Sequence, residues 1–317
     1  ILRQIVDDGP DSFYEMLQEE MRDPLQFEID ELKEIVVQEK KPLETVVDGY
    51  TFYAPPKPFS GETALQILKG IELSDTPSVW EGNVQDLIQL FKITRNSYAY
   101  RFENNGDPAF VKETDGLTDD VLDYITTNED FEMIEDDEPV STTHFSIVDQ
   151  YGNIVSATNT LGNFFGHKQN QFGFFFNSNL TVASPNSDSP NRLEPYKRSR
   201  TFMAPMMFEK DDEIIALGSP GGSRIPELMS QVIHSYMEDN DLQKAVDKLR
   251  ISVLNDNVAF EDYIAPEIST SLEEEGYGVS GNTSPLFFGG INAIGKKDQQ
   301  IFGVADSRRH GTLLISE

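Results

Sequence analysis

TTHFSIVDQYGNIVSATNTLGNFFG (142–166) is the stretch whose reading decides the fold. Asp149-Gln150-Tyr151-Gly152-Asn153 separates two runs of strand-favouring residues, 142–149 and 153–160. A three-residue loop ending in glycine is a favoured hairpin connection, because its last position takes φ > 0. With Gln150, Tyr151 and Gly152 as the loop, Asp149 pairs with Asn153 and Thr142 falls opposite Thr160. Directly opposed residues have Cβ atoms about 5 Å apart, within reach of a hydroxyl–hydroxyl hydrogen bond. Taken alone, such a pair is an ordinary cross-strand contact.

What surrounds the hairpin gives it more meaning. The segment NEDFEMIEDDEPV (128–140) is dense in like charge and runs straight into the strand at Thr142. That composition marks a solvated segment, suited to a processing site and equally to a plain linker. A threonine released as a new N-terminus has a free α-amino group that can serve as base for its own hydroxyl. Further on, Ser219-Pro220-Gly221-Gly222-Ser223-Arg224 lies between a strand at 213–217 and a helix opening at Pro226. Glycines there let backbone N–H groups converge on a developing oxyanion, helped by the helix start; a Gly-Gly turn before a helix is also simply a turn. No Gly-Lys-Ser/Thr follows, which excludes a phosphate loop.

The rest of the chain falls into two halves. Before residue 142, helical spacing is expected through Ile5, Phe13, Met16, Leu17 and Met21, with Asp11 as a helix cap, and again over Glu62–Glu72 and Val84–Tyr100. Val46–Tyr53 reads as strand, turn, strand. After residue 142, further strands are expected at 172–177, 213–217, 286–294 and 300–305, with helices over Pro226–Met237, Asp241–Arg250 and Pro266–Glu275. Strands enclosing a helical block point to two sheet layers with helices outside. The expected division is 1–141 and 142–317.

The net charge of −30 is uneven: 33 acidic against 11 basic side chains before residue 142, and 22 against 14 after it. Such a field disfavours nucleic acid and anionic membrane as partners. No run approaches the ~18 apolar residues of a membrane span. There is no cysteine, and the four histidines lack ligand spacing, so neither thiol chemistry nor a metal or other cofactor is expected. Ile1-Leu2-Arg3 reads as the interior of a helix, with no signal-like stretch; any export signal is expected upstream.

TTHFSIVDQYGNIVSATNTLGNFFG, KRSRTFMAP (197–205) and GSPGGSRIPE (218–227) together resemble the γ-glutamyltransferase family of N-terminal-nucleophile (Ntn) enzymes. GPDSFY (9–14), GYTFYAPPKPFSGETALQIL (49–68) and GDPAFV (106–111) are similar to the later part of that family's large subunit, in the same order. The resemblance implies an α+β fold, the Ntn four-layer αββα sandwich with a helical large-subunit portion, and further large-subunit sequence ahead of Ile1. It implies that Thr142 is the nucleophile and first residue of a small subunit, released by self-cleavage after Ser141. Thr160 is then its hydroxyl partner, and Gly221 and Gly222 are the oxyanion donors. The implied activity is transfer or hydrolysis of γ-glutamyl amides through a threonyl ester, with water or an amine as acceptor and the two cleaved subunits as each other's partners.

Departures from the family pattern bear on substrate. Where glutathione-cleaving members hold a Gln and an acidic residue for the substrate's α-amino group, this chain has Asn179 and uncharged Val182. A lost charge-assisted hydrogen bond is worth roughly 1.5–3 kcal/mol. The paired serines after the KR motif are here Thr201 and Phe202, and the 182–197 stretch is short for a lid. The pattern is most similar to the branch that depolymerises capsule poly-γ-glutamate, which implies polyanion binding by Arg224 and Arg309 and an extracellular or cell-surface location. An acidic large-subunit half sits awkwardly with a polyanion. A glutathione hydrolase, a cephalosporin or glutaryl acylase, and an unprocessed or inactive binding homologue are the competing expectations.

Overall fold

The computed structural model describes residues 2–9, 11–20, 33, 37–77, 83–129, 141–168, 170–171, 173–254, 256–282, 284, 286–298 and 300–315. The elements of the first half are α1 (Leu2–Asp8), α2 (Asp11–Glu20), β1 (Leu43–Val47), β2 (Tyr50–Ala54), α3 (Gly61–Ser74), α4 (Val84–Asn104) and α5 (Asp119–Thr127). There follow β3 (Thr142–Val148), β4 (Ile154–Thr160), β5 (Asn170–Gln171), β6 (Phe174–Phe175), β7 (Met206–Lys210) and β8 (Glu213–Gly218). Then come α6 (Ile225–Asp239), α7 (Leu242–Asp247), β9 (Ile251–Leu254), β10 (Asn257–Phe260), α8 (Pro266–Glu274), β11 (Gly278–Gly281), β12 (Asn292–Lys297) and β13 (Gln300–Ala305).

Two compact units are distinguished: 1–41 with 170–174, and 42–169 with 175–317. In the first, Asp11 is the first helical residue of α2 rather than the residue before it, and Ser12 Oγ donates to Gly9 O at 2.7 Å. Met21 lies outside the described residues.

The second unit is organised by an antiparallel sheet in the order β1-β2-β7-β8-β12-β13. Strand alternation sorts its side chains. Phe52, Phe208, Ile215, Leu217, Ala293 and Val304 join one core with Leu65 and Leu68 of α3 and Met229, Val232 and Ile233 of α6. Burying one such side chain contributes about 2 kcal/mol, more than the ~0.7 kcal/mol that separates ordinary residues in helix propensity. Packing therefore fixes where α3 and α6 lie, while Pro226 in the first turn and left-handed Asn240 at the C-cap set the ends of α6.

The β3–β4 hairpin lies on the other face of this sheet, where Ser156 Oγ donates to Leu217 O at 2.9 Å and Ser146 Oγ to Ala216 O at 3.4 Å. Helix, sheet and hairpin are three successive layers of the expected αββα sandwich. Phe145, Ile147 and Val155 point away from the sheet and are each about half exposed, so the hairpin is the outermost of these layers among the described residues. A second cluster packs α3, α4 and α5 through Ile67, Ile71, Leu90, Ile93, Leu122 and Ile125. A third joins α4 to a β11-β10-β9 sheet and α8.

Several elements differ from expectation. Residues 286–288 form a turn and the strand begins only at Asn292, because Gly289 takes φ +73° and breaks the run. The 172–177 strand is replaced by the two-residue β5 and β6. The helix after Asp241 stops at Asp247, and β9 starts at Ile251. Asp241 does cap α7, accepting from Lys244 N at 3.0 Å.

Candidate active site

The hairpin pairs Val148 with Ile154 and Thr142 with Thr160, the register expected from a Gln150–Gly152 loop. Its turn is closed by Asp149, whose N–H donates to Asn153 O at 3.0 Å. The Asp149 carboxylate accepts from the Tyr151 and Asn153 amides at 2.8 Å and from Asn153 Nδ2 at 2.7 Å. The Asn153 side chain above all holds the Asp149 carboxyl below its ordinary pKa. Gly152 takes φ +85°, the conformation the loop requires.

At the open end of the hairpin, Thr142 Oγ1 donates to Thr160 Oγ1 at 3.2 Å. Thr160 Oγ1 in turn donates to the carbonyl oxygen of Ser141 at 3.3 Å and accepts the Gly162 N–H at 3.0 Å. The Ser141 carbonyl also receives the Leu161 N–H at 3.4 Å. Thr160 therefore touches both the hydroxyl of Thr142 and the carbonyl of the peptide that precedes it. The arrangement suits attack of one on the other, since the acceptor is polarised and the donor oriented by the same hydroxyl.

The turn after Thr160 is pinned by Ser178, which the sequence reading missed. Ser178 N donates to Leu161 O at 2.7 Å, and its Oγ accepts the Asn163 N–H at 3.0 Å. Asn179 follows, its Oδ1 lying against Gly162, so that any Cβ there would crowd it. No periodicity marks Ser178; only its place in a run of small polar residues sets it apart.

Gly221 and Gly222 take φ +151° and +62°, with Gly222 opening the short turn that leads into α6. The turn is anchored by Ser219, also missed, which is fully buried and accepts the Gly290 N–H at 3.1 Å. Arg224 and Arg309 come together over the neighbouring loop. Arg224 Nε donates to Phe287 O at 2.8 Å, with its guanidinium 4.2 Å from the Phe287 ring centroid. Arg309 donates to Leu286 O at 2.5 Å. Burial first, and then the charge of Arg224, hold Arg309 below its ordinary pKa.

The Thr201 backbone is held by the first half of the chain, its N–H donating to Pro58 O at 3.0 Å and its carbonyl accepting from Ser60 Oγ at 3.0 Å, while its Oγ1 accepts the Met203 N–H at 3.3 Å. Phe202 points inward, against Tyr98, Phe102 and Arg101. The short 182–197 stretch is closed on itself by buried Asn191, which donates to Val182 O at 2.7 Å and accepts from Arg200 N at 2.8 Å. Among the described residues no cluster of metal-ligating side chains is found, and no helix is long and apolar enough to cross a membrane.

The profile of the gamma-glutamyltranspeptidase family matches residues 1–316. The chain is 36% identical to the capsule biosynthesis protein CapD proenzyme of Bacillus anthracis, over 98% of this chain and 60% of that one. It is 29% identical to the glutathione hydrolase proenzyme of Bacillus subtilis strain 168, over 84% of this chain and 51% of that one. The fold is that of the cephalosporin acylase from Bacillus halodurans, with a TM-score of 0.85 over 100% of this chain and 61% of that chain at 19% identity. The chain thus spans 51 to 60% of the length of these two curated relatives. On the match along residues 1–316 and the identity to CapD, it belongs to the γ-glutamyltranspeptidase family.

Proposed function

We propose that this chain carries the catalytic half of a self-processing γ-glutamyltransferase or hydrolase, with Thr142 as nucleophile. The observation that supports it most directly is the set Thr142–Thr160–Ser141, in which one hydroxyl contacts both the attacking oxygen and the carbonyl under attack. In processing, Thr142 Oγ1 adds to the Ser141 carbonyl carbon and the Thr142 nitrogen departs, leaving an ester. Water then cleaves the ester, giving a Ser141 carboxylate and a free Thr142 amine. That division makes 1–141 the end of a large subunit and 142–317 a small one. In turnover the released amine takes the Thr142 hydroxyl proton while the oxygen adds to a γ-glutamyl carbonyl, and returns it to the leaving amine. Water or another amine releases the glutamyl ester, and the Gly221 and Gly222 amides serve as oxyanion donors.

For substrate, poly-γ-glutamate or other internal γ-linked units fit best. Asn179 and Val182 offer no carboxylate to a free α-ammonium, while Arg224 and Arg309 bring two guanidiniums to one loop. Similarity to a capsule biosynthesis proenzyme accords with this and with a cell-surface location. The test uses the full-length protein: a denaturing gel for cleavage at Ser141–Thr142, then turnover of a γ-glutamyl anilide, glutathione and poly-γ-glutamate. Two fragments with preferential cleavage of the polymer are expected. Far faster turnover of glutathione would assign the chain to the glutathione hydrolases instead, and a single uncleaved inert species would make it a binding homologue.

A further inference from the structure

Resting on this reading, we infer that His144 is a positioning residue: its ring, seated flush against Gly218, sets the spacing between the Thr142 hairpin and the Gly221–Gly222 turn.

Thr142, His144 and Ser146 share the inward face of β3, and Thr160, Thr158 and Ser156 the inward face of β4. This inward face is polar where an inter-sheet layer is ordinarily apolar, and His144 at its centre is 5% exposed. Its Nδ1 lies 2.9 Å from Thr158 Oγ1 and its Nε2 2.9 Å from Ser146 Oγ. With the Ser146 hydroxyl donating to Ala216 O at 3.4 Å, the tautomer that satisfies both ring contacts has Nε2–H donating to Ser146 and Nδ1 accepting from Thr158. Burial holds the imidazole neutral, with its pKa lowered to about 4. The ring therefore links β4, through β3, to the backbone of β8.

The contact with β8 is steric as well as polar. A Cβ on Gly218 would overlap Nδ1, Cε1 and Cγ of His144 together. Gly218 is the last residue of β8, three positions before Gly221. Among the described residues the Thr142 hydroxyl is hydrogen-bonded to Thr160, within its own hairpin, and not to the glycine turn. The His144–Gly218 contact, with Ser156 on Leu217 O and Ser146 on Ala216 O, joins the hairpin to β8 just ahead of that turn. Relieving an overlap of that depth takes about an ångström, and a shift of that order here moves the nucleophile relative to its oxyanion donors, an error to which catalysis is acutely sensitive.

The test measures kcat, KM, processing and melting temperature in the full-length protein for Gly218→Ala, His144→Ala, the double variant and His144→Asn. Gly218→Ala is expected to lower kcat about tenfold or more with KM within about threefold. His144→Ala removes the atoms the new methyl meets, so the double variant is expected to exceed Gly218→Ala in kcat, the non-additivity of a direct contact. His144→Asn keeps a donor and an acceptor at the near edge and is expected to retain more kcat than His144→Ala. Should Gly218→Ala fail to fold, His144→Asn against His144→Ala still decides by kcat at matched melting temperature. Wild-type kcat in Gly218→Ala, or equal kcat in the two His144 variants, would overturn the inference while leaving the functional reading intact. Full activity in Thr142→Ala would overturn both.

Discussion

Thr142 and Thr160 face each other across one rung of the β3–β4 hairpin, with 3.2 Å between their hydroxyl oxygens. The pair is partly exposed and sits at the strand end, so removing one methyl or hydroxyl there costs little packing. Loss of function at these positions therefore reports on chemistry. Thr142→Ala is expected to yield one uncleaved chain on a denaturing gel, and Thr142→Ser to cleave. Thr160→Val keeps the shape of the side chain and deletes the hydroxyl. It is expected to slow turnover by about 10²-fold, the range for an oriented hydroxyl at a nucleophile, with the melting temperature nearly unchanged. Two fragments from Thr142→Ala would remove Thr142 as the nucleophile.

Arg224 and Arg309 make the substrate preference testable. Each donates to a carbonyl of the 286–287 loop, and the planar fork of an arginine matches a carboxylate bidentately. Losing one charge-assisted hydrogen bond costs roughly 1.5–3 kcal/mol, about ten- to a hundredfold in kcat/KM. Arg309→Gln is expected to show that loss on poly-γ-glutamate and a much smaller one on a γ-glutamyl anilide, which lacks the neighbouring carboxylates. Equal losses on both substrates would place Arg309 in the structural support of the loop.

Much of the site was legible in the sequence because it depends on local rules. Loop length and Gly152 fix the hairpin register, and register alone carries Thr142 to Thr160. Thr201 shows the limit: its place after the KR motif is plain in the sequence, whereas the partners that hold its backbone, Pro58 and Ser60, lie far off in the chain. Ser178 and Ser219 were missed for the same reason, since each acts on a segment far off in the chain, Leu161 and Gly290 respectively. The β9–β11 sheet was missed because short strands of mixed polarity carry little periodicity, and only the cluster around Phe91 and Leu272 makes them a layer.

The Arg250–Asp306 pair places the loop that bears Arg309. Both side chains are 1% exposed and their charged atoms approach to 2.5 Å. Asp306 also accepts from Ile291 N at 2.9 Å, and Arg250 donates to Phe288 O at 2.7 Å. Burial pushes the Asp306 carboxyl up, but Arg250, the Arg308 amide and the Arg308 charge outweigh it and hold it below its usual range. Breaking such a pair leaves a buried charge without its partner, at a cost of about 3–5 kcal/mol. Asp306→Asn is expected to lower stability by that order in denaturant unfolding. A change under about 1 kcal/mol would mean that the loop re-forms around Arg250.

His144 and Glu227 should oppose each other as pH changes. Burial lowers His144 from 6.5 to about 4. The unfolded chain therefore takes up a proton that the folded one refuses, and stability present above pH 6.5 is lost as pH falls toward 4. Burial raises Glu227 from 4.5 to about 7, against the lowering effect of Ser252, the Val253 amide and Arg224. Its contribution is full below pH 4.5 and is lost as pH rises toward 7. Each shift is worth on the order of 3 kcal/mol, so between pH 4.5 and 6.5 the two slopes offset. Replacing one group exposes the other. Glu227→Gln should become more stable relative to wild type as pH rises through that window, and His144→Asn as pH falls. Melting curves that stay parallel across pH 4–8 for all three proteins would show that neither group titrates differently on folding.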